Sequence, residues 1–247
     1  MTRHELFRSI IFTAVVPLLV AGNGIRGMYV LINSEHISER EIFYNLIHTS
    51  NGELASTALM LLIFAPMVMI VFEHIKGDDR LDCVVRHRNR DSYTKSLIAD
   101  GVKYSACVVV LMETLKVFSL ILFLGLKIIV SKILLFYLLL DTLVSFLFYF
   151  RVINIYLLCK AKFSSRNISI IITVLVYFIE YVIFFYVFYE TELLPAYTLI
   201  IPFAAVFQGI NPVLMVGEIC VSLIMNIMFA LLLIVEMRRK DILSFEK

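Results

Sequence analysis

The stretch HIKGDDRLDCVVRHRNRDSYTKSLIADGVK, residues 74–103, decides how this chain is read. It is the only long basic connection between two long apolar segments. It carries seven basic residues: Lys76, Arg80, Arg86, Arg88, Arg90, Lys95 and Lys103. The segments on either side, about 54–73 and 104–126, are long enough as helices to span about 30 Å of hydrocarbon. Working outward, four more apolar segments follow at about 9–32, 133–157, 168–189 and 213–236. Six spans put both termini and every even-numbered connection in one compartment. That compartment then collects Arg3 and Arg8, the seven above, and Arg151, Lys160, Lys162 and Arg166. Arg238, Arg239, Lys240 and Lys247 complete 17 of the 22 basic residues. The other side holds Arg40, Lys127 and Lys132, while Arg26 and Lys116 lie within segments. That asymmetry predicts cytoplasmic termini by the positive-inside rule.

Composition agrees with lipid as the solvent. Hydrophobic residues make up 61% and charged residues 17%, against about 45–50% and about 25% in soluble domains. The net charge of +2 says little beside its distribution. The first segment is interrupted by Pro17, Gly22, Asn23, Gly24, Arg26 and Gly27, which does not fit a cleaved signal peptide. Cys83, Cys107, Cys159 and Cys220 are scattered, with neither disulfide nor metal-ligand spacing. The expected fold is an all-α membrane protein, a single membrane domain over 1–247. It has six transmembrane helices and a re-entrant helical hairpin before the last one.

Two places are irregular. Within 74–103, Leu81, Val84 and Val85 form one apolar stripe, and Tyr93, Leu97 and Gly101 continue a second. The pattern predicts two short amphipathic helices lying under the bilayer. The segment 193–212 carries Pro195, Pro202, Gly209, Asn211 and Pro212 in an apolar background. Its piece 198–211 reaches only about 21 Å as a helix, too short to cross, so it is expected to dip in and return as a re-entrant hairpin.

Polar residues inside the spans are candidate site residues. Glu113 and Lys116 stand three apart on one helical face. Asp141, Arg151 and Glu180 lie in the fourth and fifth spans. Charges at such depth face protein or water, so these five either pair with one another or line a transport path. The 20 Phe and 12 Tyr are packing and lipid-facing side chains, or in part an apolar path. Catalytic motifs are missing: no P-loop, no G-x-S-x-G and no H-E-x-x-H occurs. All five histidines fall outside the spans, so no metal site is expected.

Arg86-x-Arg88-x-Arg90-x-x-Tyr93-x-Lys95 before the third span, and Arg238-Arg239-Lys240-Asp241-Ile242 at the end, resemble the permease subunits of bacterial ABC exporters of the type-two family. The architecture is similar over nearly the whole chain. One departure is the eight residues before span one, which leave little room for that family's N-terminal amphipathic helix. The resemblance implies a non-catalytic subunit in the bacterial cytoplasmic membrane. It implies pairing with a second permease copy, as homodimer or heterodimer, and seating on two ATPase subunits. ATP and Mg²⁺ would be bound by those partners, with no cofactor on this chain and no nucleic acid. Asp79, Arg80, Leu81, Asp82, Val84, Val85 and Arg86 would form the coupling element against the ATPase. Pro202, Gly209, Asn211 and Pro212 would form the re-entrant gate. The cargo implied is an amphipathic or hydrophobic molecule, a toxin or antimicrobial peptide. An integral membrane enzyme acting on lipid or peptide, or an ion-coupled carrier, remains the alternative.

Overall fold

A computed structural model describes residues 65–76, 90–124, 132–163, 165–191 and 212–239. Among them every regular element is a helix and none is a strand. We number them α1 (Ala65–Lys76), α2 (Arg90–Leu124), α3 (Lys132–Phe163), α4 (Arg166–Thr191) and α5 (Pro212–Arg239). Their ends carry favourable signals. Asp91 lies in the first turn of α2, and Lys160 and Lys162 in the last turn of α3. Arg238 and Arg239 close α5. Each charge opposes the partial charge of its helix terminus. Pro212 opens α5, where its missing N–H costs nothing.

The central helix is α3, which packs against all four others. Phe148, Tyr149, Val152, Ile153 and Tyr156 on α3 are fully buried. They meet Phe72 and Met69 of α1, Leu97 and Val109 of α2, Tyr177 of α4 and Leu233 of α5 in one core. The Phe148 and Tyr177 rings meet edge-on at 5.9 Å, joining α3 to α4. Only residues 164–165 separate those two helices, so the chain must reverse there.

The second apolar stripe of 74–103 belongs to a different element from the one expected. Residues 90–103 do not form a separate short helix; they are the first turns of the 35-residue α2. Tyr93, Leu97 and Gly101 are buried in the core. The stripe was a true apolar face, but it docks on helices rather than lying flat. Nothing in 90–124 interrupts backbone hydrogen bonding, and Gly101 permits the docking. A Cβ added there would sit 3.1 Å from Ile153 Cγ2 and 3.6 Å from Phe150 Cε2. The other helices extend a few residues past the expected spans at 133–157, 168–189 and 213–236.

On α4 and α5 the outward faces are apolar, and polar side chains take part in the packing faces. On α4 the buried face is Ser169, Thr173 and Tyr177, while Ile171, Leu175, Phe178 and Val182 point outward. On α5, Ser222 and Asn226 are buried, while Leu223, Ile224, Ile227 and Leu231 are exposed. Soluble monomers rarely expose contiguous apolar faces this large. Small and polar residues on packing faces are how helices associate in lipid. Two stretches, Leu138–Phe163 and Ile219–Arg239, are long and apolar enough to cross a membrane. As helices they reach about 39 Å and about 32 Å.

Candidate functional site

Polar connections between the described helices include three built on charged or amide side chains, and two of these lie where charged helix ends meet. The first joins α1 to α3. Tyr156 and Lys160 stand one turn apart on α3, so both reach the same neighbour. Tyr156 Oη donates to Glu73 Oε2 at 2.8 Å, and Lys160 Nζ donates to Glu73 Oε1 at 2.7 Å. Glu73 is 8% exposed and Lys160 18%. Both carboxylate oxygens are thus satisfied, which a buried charge requires.

The second connection joins α2 to α5. Arg238 donates from Nε to Asp91 Oδ1 at 2.8 Å and from a terminal nitrogen to Oδ2 at 2.5 Å. The guanidinium and carboxylate meet fork to fork, a geometry that fixes orientation as well as attraction. Those hydrogen bonds hold the Asp91 carboxyl below the usual carboxylate range. The pair is well exposed, so its contribution is geometric more than energetic.

The third lies within the bundle. Asn154 of α3 donates through Nδ2 to Asn226 Oδ1 of α5 at 3.2 Å. Asn226 Nδ2 donates in turn to the Leu147 carbonyl at 2.9 Å and to the Ser222 carbonyl, one turn back, at 2.9 Å. Both asparagines are buried, so the bonds form away from competing water.

Of the residues singled out from sequence, Glu113 and Arg151 are buried, at 7% and 1% exposure. Neither lacks a partner there. The side chains of Lys116, Asp141 and Glu180 lie outside what is described, although their backbones belong to α2, α3 and α4. Asp79, Arg80, Leu81, Asp82, Val84, Val85 and Arg86 lie outside the described residues, as do Pro202, Gly209 and Asn211. Pro212 is the first residue of α5.

No protein-family model, curated protein or solved structure matches the chain. Its site must therefore be read from its own residues. Sequence reasoning overlooked Glu73, Tyr156, Asn154 and Asn226. Glu73 closes an otherwise smooth apolar run, and Tyr156-x-x-x-Lys160 places a donor pair on one face; together they were a usable signal. The asparagines each stand alone in apolar surroundings, and only the fold pairs them. Among the described residues no group of His, Cys, Asp and Glu is placed to hold a metal ion.

Proposed function

We propose that this chain is the transmembrane subunit of an ATP-driven ABC exporter, with six spans and both termini in the cytoplasm. The observation that carries the reading is the gathering of basic charge. Of the 22 Lys and Arg residues, 16 belong to the termini and even-numbered connections, and Arg151 stands within the fourth span towards the same end. The C-terminal turns of α1 and α3 meet through Glu73 and Lys160, and the start of α2 meets the end of α5 through Asp91 and Arg238. A bundle with outward apolar faces and one basic end fits a bilayer with that end in the cytoplasm. The connection 77–89 leaves from this end, where a soluble ATPase would press on it. Movement of that connection would be passed to α3, which touches each of the other described helices, as a rigid-body displacement. The path formed between two such subunits would carry an amphipathic or hydrophobic peptide, and the hydrolysed nucleotide would never touch this chain.

Solubilising the full chain in mild detergent tests the assignment. An ATPase subunit bearing a P-loop should co-purify, and removing residues 79–86 should release it while this chain stays folded. A chain that purifies alone from its native membrane, or keeps its ATPase after that deletion, contradicts the reading.

A further inference from the structure

The connection between α1 and α2 is 13 residues long, 77–89. Fully extended, such a length of chain spans about 45 Å, so chain continuity alone does not fix how far apart the two helix ends stand. Packing sets part of it, since the Phe72 ring of α1 lies 5.5 Å from the Tyr104 ring of α2, and polar ties from the rest of the bundle hold the two ends themselves. Glu73, three residues before the end of α1, is held by Tyr156 and Lys160 of α3. Asp91, the second residue of α2, is held by Arg238 of α5. The Asn154–Asn226 hydrogen bond in turn joins α3 to α5. The route from one end of the connection to the other therefore runs Glu73, Lys160, α3, Asn154, Asn226, α5, Arg238, Asp91. It closes a circuit around the connection without using it.

We infer that this circuit is a positioning device: Glu73, Lys160, Asp91 and Arg238 clamp both ends of the 77–89 connection onto the α3–α5 pair. A force on the connection then moves α3 and α5 together instead of being absorbed by bending of α1 or fraying of α2. Two properties of the residues suit this role. The Glu73 tie is largely buried, so water competes with it little. The Asp91 tie is exposed but two-pronged, so it resists rotation at the helix terminus, where fraying begins. The inference deepens the permease reading, in which 77–89 receives the force, but the clamp itself can be measured without any ATPase.

The experiment places spin labels at Ile70 and Ser92, both exposed, in a cysteine-free background of the full chain in lipid nanodiscs. Distances are read by pulsed electron resonance. With both ties intact the distribution should be one narrow peak. Asp91→Asn and Lys160→Met should each broaden it, and together they should abolish the single peak. Exchanging the charges, Asp91→Arg with Arg238→Asp, should restore the narrow peak that Asp91→Asn loses. A peak that stays narrow with both ties cut overturns the inference, whatever becomes of the transporter assignment. The Asp91 variants alter an exposed pair, so they report on the clamp even where Lys160→Met impairs folding. Failure to find an ATPase would sink the proposed function and leave this distance measurement intact.

Discussion

Lys160→Met should destabilise the folded chain by about 3 kcal/mol, the scale for removing one partner of a buried ion pair. The cost comes less from the lost attraction than from what stays behind. Glu73 remains 8% exposed, with one carboxylate oxygen still bound to Tyr156 and the other without its lysine. A second change separates these contributions. Combining Lys160→Met with Glu73→Gln removes both charges, so the double variant should recover most of the loss. Tyr156→Phe alone should cost about 1 kcal/mol, the value of one hydrogen bond. The check is reversible unfolding in mixed micelles, with the unchanged chain, Lys160→Met, Glu73→Gln and their combination compared as a cycle and Tyr156→Phe measured beside them. A single Lys160→Met loss within about 0.5 kcal/mol, typical of an unremarkable surface site, would show that the pair does not form.

The second large effect is expected at Gly101. Its neighbour Ile153 is fully buried and its Cγ2 lies 3.1 Å from where a Cβ would stand. A branched side chain packed on all sides gives little, since its χ1 is stiff. Gly101→Ala therefore comes out near zero: about 1 kcal/mol of helix propensity gained is offset by pressure on Ile153. Gly101→Leu has no such balance. Its extra carbons would wedge α2 from α3 at Phe150 and Ile153, costing about 2–3 kcal/mol, the upper range for overpacking. The same unfolding assay reads it. Leu tolerated as well as Ala would mean that the two helices do not approach this closely.

These positions show what a sequence discloses and what it hides. The apolar segments at 133–157, 168–189 and 213–236 were visible because hydropathy averages over many residues, and each contains most of a described helix. The start of α2 was not visible. Asp100 and Lys103 end a hydropathy window, but charged side chains on a helix flank do not interrupt its backbone hydrogen bonds, so the helix begins at Arg90. Hydropathy measures what lipid tolerates, and helix length answers to a different cause. The Tyr93, Leu97, Gly101 spacing did reveal a packing face; only its partner, α3, was missing.

The polar ties were harder to foresee for a different reason. Glu73 finds Lys160 across 87 residues of sequence, and Asn154 finds Asn226 across 72. No local pattern encodes such a meeting; it exists only once α3 has been placed between α1 and α5. Arg151 and Glu113 were picked out because a charge in an apolar span is conspicuous, and both are indeed buried. Asn154 and Asn226, uncharged, drew no attention, yet they form the tie between the central helix and α5.

The account stands or falls on which side of a membrane the basic end occupies. Lys162 is exposed in the last turn of α3, beside the short reversal into α4. A cysteine placed there in an otherwise cysteine-free chain can be challenged with a membrane-impermeant maleimide. Labelling should occur in inside-out vesicles and be absent in intact cells. Efficient labelling of intact cells would put the basic end outside, leave a cytoplasmic ATPase nothing to push against, and contradict the whole reading.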